Sequence, residues 1–279
     1  MKNKICLLGL RGSIPVSGDE FREFGCATSC MVVYAEPENG EPEPEHAIVI
    51  DAGTGLLNLR KNMPGSIKKV TVLLSHIHLD HIQGLLMLPE MFNGRLEIDI
   101  YCGKHCGGSF EPYLRDMMKP PIWPITPDFF AKSVHFLDLP EGDFMAGDVM
   151  ISSMPGSHPD DIDIFRLTFK NGTTLVHVGD YEVGQSEEID EKLKSFARDT
   201  SLLLMDGMYT MDEYSSQRGF GHSPWEMTAE LADKVGVQRL RIIHHSPTHS
   251  DEMLREAEEY VKSKYPNAGM GREGEILEL

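Results

Sequence analysis

Apolar and β-branched runs separated by polar turns divide the chain into two groups of predicted strands. The first group comprises Lys4 to Gly9, Ser29 to Ala35, Ala47 to Ile50, Lys69 to Leu74 and Leu96 to Tyr101. The second comprises Val134 to Leu137, Val149 to Met154, Ile164 to Phe169, Thr173 to Val178, Leu202 to Met205 and Arg239 to Ile243. The early strands follow one another as a meander, which suggests two mixed sheets packed face to face.

Helical periodicity appears between these strands and predicts an outer layer of helices. The predicted helices are Gly55 to Lys61, His81 to Leu88, Glu187 to Phe196, Pro224 to Lys234 and Asp251 to Lys262. Ser250 precedes the last of them and is a suitable N-cap. The pattern therefore predicts an α/β protein with helices outside two sheets.

Four candidate metal ligands lie within six residues, directly after the strand that ends at Leu74. His76 and His78 stand at i and i+2 on an extended end, so their rings point the same way and can share one ion. Asp80 and His81 lie on the following turn and are displaced toward a second ion. This spacing points to a hydrolase with two metal ions.

A solvated histidine-rich surface loop is the alternative interpretation of this segment. Such tracts are polar throughout. Here Ile77 and Leu79 alternate with the ligands, and buried-type segments flank them on both sides. A metal site is therefore the preferred interpretation.

His-x-His-x-Asp-His after a strand resembles the signature of the metallo-β-lactamase superfamily. Three later segments also resemble that family, in the expected order: Ser157-His158-Pro159, Val178-Gly179-Asp180 and Ile242-Ile243-His244-His245-Ser246-Pro247. The resemblance spans nearly the whole chain. It implies a four-layer αββα sandwich and, with candidate ligands spread from 76 to 244, a single domain over residues 1–279.

The resemblance also implies how the ligands are divided between two divalent ions. One ion would be held by His76, His78 and His158, and the other by Asp80, His81 and His244, with Asp180 and a hydroxide bridging the two. The bridging hydroxide would attack phosphorus, and Asp80 counts among the catalytic residues for its place beside it. Zinc is preferred as the metal, while manganese and iron stay open, because imidazole and carboxylate ligands suit all three.

The details of this set narrow the chemistry that the resemblance implies. Asp180 stands at the bridging position, where the antibiotic-hydrolysing β-lactamases carry cysteine. His78 stands where the di-iron oxygen reductases of the superfamily carry glutamate. Both residues therefore argue for a branch of the superfamily other than these two.

The ends of the chain resemble the branch that contains ribonuclease Z and small cyclic phosphodiesterases. The segments that carry this resemblance are Leu8 to Pro15, Gly25 to Cys30 and Gly219-Phe220-Gly221-His222-Ser223-Pro224. The last resembles a catalytic histidine motif, which makes His222 the candidate general acid. The long basic insertion with which ribonuclease Z clamps RNA has no recognisable counterpart, which argues against a transfer-RNA substrate.

Composition limits the partners. The 279 residues are 41% hydrophobic, enough to bury a sizeable core, and carry a formal charge of −18. That charge would repel a nucleic-acid backbone, so a small anion is the expected partner, attracted locally by the two ions and Arg11.

No apolar stretch is long enough for a membrane span, and no signal-peptide core is present at the N-terminus. We expect a cytoplasmic protein, with a homodimer left open.

The five cysteines are consistent with a reducing compartment. Cys26 and Cys30, and likewise Cys102 and Cys106, are separated by three residues, a spacing compatible with a small structural zinc site. Cysteines that bind no metal are the preferred interpretation.

Several polar residues near the motifs admit two interpretations. Asp51 and Asp206 each follow a strand and could orient a ligand histidine or cap a helix. His245 and His249 are second choices as ligands, and His177 is more consistent with a core histidine. The segment 119–125 is either a lid over the pocket or simple packing on the core.

The sequence therefore predicts a dinuclear phosphodiesterase that cleaves a small, linear or cyclic, phosphodiester. A lactone or thioester hydrolase on the same metal core is the main alternative, and a metal-binding or sensing module without turnover is the second. His222 favours the first, because an alkoxide that leaves phosphorus benefits from a positioned acid.

Overall fold

The computed structural model describes residues 2–37, 43–104 and 110–279. Part of the tract 36–45 lies outside these ranges, as do His105 and Cys106. The pairing considered for Cys102 with Cys106 is therefore not addressed by the fold.

The first sheet has seven strands in the order β14-β1-β2-β3-β4-β5-β6. These strands are β1 (Lys4–Gly9), β2 (Cys30–Tyr34), β3 (His46–Ile50), β4 (Lys69–Leu74), β5 (Glu97–Cys102), β6 (Val134–Asp138) and β14 (Ile276–Glu278). The pairs between β14 and β3 are antiparallel, and those from β3 to β6 are parallel.

The second sheet also has seven strands, in the order β13-β12-β11-β10-β9-β8-β7. These strands are β7 (Phe144–Ala146), β8 (Val149–Gly156), β9 (Ile162–Thr168), β10 (Thr174–Val178), β11 (Leu202–Asp206), β12 (Leu240–Ile243) and β13 (Ala268–Met270). Strands β10 to β13 are mutually parallel, so the carboxyl ends of β10, β11 and β12 share one edge.

The helices cover the outer faces of both sheets. They are α1 (Leu59–Asn62), α2 (Leu79–Ile82), α3 (Glu90–Asn93), α4 (Glu111–Met117), α5 (Glu187–Phe196), α6 (Met211–Gln217), α7 (Trp225–Lys234) and α8 (Asp251–Lys264). The side chain of Ser250 accepts a hydrogen bond from the Met253 amide and caps α8, as expected.

Three apolar layers separate the four layers of secondary structure. Alternate residues of each strand supply two of them: Leu7 and Val33 face the second sheet, while Leu8 and Val32 face the helices. The third lies between the second sheet and helices α5, α7 and α8. This arrangement confirms the predicted αββα sandwich. None of the described helices has the length and apolar content that crossing a bilayer needs.

The structure differs from the predicted elements mainly in short segments. Strands β7, β13 and β14 have three residues each and were not predicted, because so few residues carry no readable periodicity. The helix predicted from His81 to Leu88 is wrong as drawn, since the chain forms α2 and then a 3-10 segment over Gln83–Met87. Gly84 packs against the Gly53 carbonyl there, leaving no space for a side chain.

Of the two cysteine pairs considered for a zinc site, Cys102 with Cys106 lies partly outside the described residues. Cys6, Cys26 and Cys30 are free thiols. Cys30 lies on β2 and Cys102 on β5, with β3 and β4 between them in the sheet. The thiols of Cys30 and Cys102 therefore stand apart from one another.

Candidate metal centre

The seven predicted metal ligands converge on one edge of the sandwich. His76 follows β4, His158 follows β8, Asp180 follows β10 and His244 follows β12. His78, Asp80 and His81 lie on the turn and on α2 directly after His76. The strand ends thus position side chains from four separate segments around a common centre.

Asp180 occupies that centre. Its Oδ2 lies 3.4 Å from Nε2 of His76 and 3.9 Å from Nε2 of His158. Its Oδ1 lies 3.2 Å from Nε2 of His81 and 3.1 Å from Nδ1 of His244. One carboxylate oxygen therefore faces one group of histidines, and the other oxygen faces a second group.

The ligand atoms form two clusters that have the composition of metal sites. Ligand atoms of His76, His78, His158 and Asp180 lie within 4.8 Å of one another, as do those of Asp80, His81 and His244. A third grouping joins Asp180, His222 and His244.

Unsatisfied polar atoms test whether these residues fit a cation. Nε2 of His76, His81 and His244 and Oδ1 of Asp180 are buried and make no hydrogen bond among the described residues. Leaving buried polar atoms unpaired is costly, and several in one cluster call for a common partner. A bound divalent cation would satisfy this requirement.

The charges of the cluster also favour cations. Burial by itself raises the pKa of the Asp180 carboxyl, but the neighbouring His244, His81 and His76 hold that pKa well below its usual value. Burial lowers the pKa of His81, yet Asp180, Asp80 and Asp51 raise it well above the ordinary value. The buried carboxylates therefore stabilise positive charge at this centre, and metal ions can supply that charge.

Asp51 holds two of the histidines in orientation. The Nδ1 of His81 donates to Oδ2 of Asp51 at 2.9 Å, which directs Nε2 toward Asp180. Ser75 donates its hydroxyl to the same oxygen at 3.0 Å and lies 3.1 Å from Nδ1 of His76. Asp51 therefore makes the hydrogen bond expected of a histidine-orienting group, whereas the cap position of the next helical turn is Gly53.

Three further contacts support the cluster, and the sequence gives little indication of any of them. Nε2 of His78 is 2.8 Å from Asp160, two residues after His158. The Ser13 amide donates to Oδ2 of Asp80 at 2.7 Å, and Ser13 adopts a φ of 63°. The hydroxyl of Ser29 lies 3.2 Å from Nδ1 of His244. Sequence reasoning missed these roles because nothing local pairs such residues.

His222 lies at the rim of the cluster, with its ring stacked 4.9 Å from that of His244. Its Nδ1 donates to Oδ2 of Asp206 at 3.2 Å. Burial alone lowers the pKa of His222, but the charge of Asp206 and this hydrogen bond, helped by Asp180 and Asp80, raise it to about 9. Asp206 thus orients His222, and its charge favours the protonated ring.

Gly221, directly before His222, is tightly packed. A side chain at Gly221 would meet the His158 ring at 2.2 Å, and the residue has a φ of +88°. The Gly219 and Gly221 amides donate to the buried carboxylate of Glu182. Pro224 occupies the N-cap of α7 with no capping side chain, so His222 does not cap that helix.

Other predicted contacts are corrected by the structure. Arg11 is fully buried and donates to the carbonyls of Gly25, Ser246 and His249, so it tethers loops and presents no charge to a ligand. His245 lies against the Gly271 carbonyl at 2.9 Å and His249 against Glu213, away from the two clusters.

The core interpretations of His177 and of the segment 119–125 both agree with the structure. His177 is buried on β10, where burial lowers its pKa to about 4. In the segment 119–125, Trp123 packs on the outer core of the first sheet, which favours packing over a lid.

Comparisons with known proteins agree with this geometry. Residues 46–245 match the family model described as the beta-lactamase superfamily domain. A ribonuclease Z from Gemmatimonas aurantiaca is 34% identical over 83 residues, or 30% of this chain and 26% of that protein. The matches thus span only about a quarter of the length of the curated relatives.

Solved structures of low sequence identity share the fold. The metallo-β-lactamase fold protein YhfI from Bacillus subtilis has a TM-score of 0.71 at 18% identity, with 100% of both chains covered. A diphosphatase from the PhnP family has a TM-score of 0.69 at 17% identity and covers 100% of this chain and 98% of its own.

Proposed function

We propose, from the premise that this chain belongs to the β-lactamase superfamily, that it is a dinuclear metal-dependent phosphodiesterase for a small, linear or cyclic, phosphodiester. Membership of this superfamily supports a hydrolytic activity. The diester substrate and the two-ion centre are the further steps of the proposal.

The division of the Asp180 carboxylate between two histidine groups carries the proposal. His76, His78 and His158 would hold one ion, Asp80, His81 and His244 the other, and Asp180 would bridge them. Two bound divalent ions would supply an activated water and neutralise charge on the phosphoryl oxygens.

His222 would protonate the leaving oxygen of the diester. Its Nδ1 is engaged by Asp206, which leaves Nε2 as the atom that can hand over a proton. An alkoxide leaves phosphorus poorly unless it is protonated, and general acids typically contribute about 10²- to 10⁴-fold. The Asp206 carboxylate beside Nδ1 favours the protonated ring, since it raises the pKa of His222.

Charge supports a small substrate. The chain carries −18 overall, which disfavours a long polyanion. The ribonuclease Z match covers a quarter of that protein, so its RNA substrate does not transfer to this chain. The likeness to a diphosphatase is consistent with compact phosphate chemistry on this fold.

Hydrolysis of bis(p-nitrophenyl) phosphate after reconstitution with zinc or manganese tests the proposal. We expect turnover that Asp180→Asn abolishes and that Asp128→Asn, at a side chain 71% exposed, leaves unchanged. A lactone and a thioester are assayed in parallel. Turnover of either without diester cleavage would assign a carbonyl hydrolase, and metal binding without any turnover would assign a sensing module.

A further inference from the structure

Glu182 is a buried carboxylate to which neither the metal clusters nor the proposed proton transfer assigns a role. It lies two residues after Asp180 and is 1% exposed. Its amide donates to the Ser157 carbonyl at 3.1 Å, next to His158. Its backbone is therefore anchored to two of the segments that carry proposed ligands.

The carboxylate of Glu182 accepts hydrogen bonds from two backbone amides of the loop that precedes His222 and from one side-chain hydroxyl on α6. The Gly219 amide lies 2.9 and 3.0 Å from its two oxygens, and the Gly221 amide lies 3.0 Å from Oε2. The Tyr214 hydroxyl donates to Oε1 at 2.9 Å. Hydrogen bonds to an ionised acceptor are about twice as strong as neutral ones, so this group fixes the loop firmly.

This loop needs an external constraint. Gly219 and Gly221 both have positive φ, at 91° and 88°. Phe220 between them is 60% exposed, so it adds little packing. Unconstrained glycines sample many conformations, and ordering them costs entropy. The bonds to Glu182 restrain this turn directly before His222, whose ring stacks on that of His244.

We propose that Glu182 is a positioning residue for His222: by holding the Gly219 and Gly221 amides, it couples the strand end that carries Asp180 to the loop that carries the acid. The inference rests on the proposed function, because the acid role of His222 belongs to that function. Glu182 itself reaches the reaction only through the loop.

Glu182→Gln is the first test, because glutamine keeps the shape and has a single acceptor oxygen. Its NH₂ group cannot accept: at the Oε1 position it removes one of the two contacts to the Gly219 amide, and at the Oε2 position it removes the contact to Gly221 and the other contact to Gly219. In either orientation the two amides are held less firmly. A misplaced group can cost up to about 10²-fold in rate. We expect kcat on an alkyl phosphodiester to fall roughly 10- to 100-fold with little change in KM. Bis(p-nitrophenyl) phosphate should be hardly affected, because nitrophenolate leaves without a proton.

A double-mutant cycle separates positioning from general destabilisation. In a His222→Ala background, Glu182→Gln should cause no further loss on the alkyl diester, because the group it positions is gone. Glu188→Gln is the matched control, since Glu188 is exposed on α5 and pairs only with Lys192 in the described contacts. Additive losses would overturn the proposal.

Amide hydrogen exchange gives a readout that does not need activity. The peptide covering residues 218–222 should exchange faster in Glu182→Gln while the bound metal, measured by elemental analysis, stays unchanged. Tyr214→Phe removes one donor and keeps the ring, so it should give the same pattern more weakly if Glu182→Gln fails to fold. Unchanged exchange, loss of metal or equal slowing on both diesters would each refute the positioning role. A wild-type protein without diester turnover refutes the proposed function instead, while the exchange result still decides whether Glu182 holds the loop.

Discussion

Asp51→Asn should weaken metal binding while leaving the fold in place. Asp51 is fully buried and accepts bonds from His81, from the Ser75 hydroxyl and from the Ser75 amide, at 2.9, 3.0 and 2.8 Å. Its φ is +57°, a conformation that asparagine tolerates better than most residues. The substitution therefore changes hydrogen bonding with little added backbone strain.

The expected loss of metal affinity follows from a change in the tautomer of His81. Asparagine offers one acceptor oxygen, and when that oxygen keeps the Ser75 amide, its NH₂ group faces Nδ1 of His81. Nδ1 must then accept, which moves the ring proton to Nε2, the atom that faces Asp180 at 3.2 Å. Loss of such a histidine-orienting partner typically costs 10- to 100-fold in metal affinity, or about 1.4 to 2.8 kcal/mol.

Competition with a chelating indicator measures that affinity for the wild-type protein and the variant. Asp128→Asn is the control, because it removes the same charge from an exposed position. Circular dichroism and thermal unfolding in the apo form establish that the variant folds. Unchanged affinity for both ions in a folded Asp51→Asn protein would refute the reasoning from the tautomer.

Three further predictions concern the metal, the acid and the substrate. Because ligands converge from four segments, elemental analysis should find up to two ions per chain after reconstitution, and His76→Ala should lose metal together with activity; a protein that stays metal-free would contradict the site. His222→Ala should retain both ions and lose roughly 10²- to 10⁴-fold in turnover of a poor leaving group, with a much smaller loss on nitrophenolate. Equal losses would disprove the acid role. In one assay, a small diester should be cleaved and precursor transfer RNA should not, and efficient RNA processing alone would reverse the substrate proposal.

The sequence by itself determined the sandwich and the candidate ligands. Strand Lys69–Leu74 is rich in β-branched and apolar residues, and four of the candidate ligands follow it at short spacings. Burial periodicity and ligand spacing are local properties, so the chain displays them before folding. The helix Glu187–Phe196 has the predicted bounds for the same reason.

Only the tertiary structure decided how the site is supported. Arg11 is separated from Ser246 and His249 by more than 200 positions, yet their carbonyls enclose its guanidinium, and no local pattern distinguishes that buried cation from one that faces a substrate. Glu182 likewise meets Gly219 and Gly221 across 37 and 39 positions. Such partners depend on how the strand ends and loops come together in space, because a buried charge is stabilised by whichever donors the completed fold places around it.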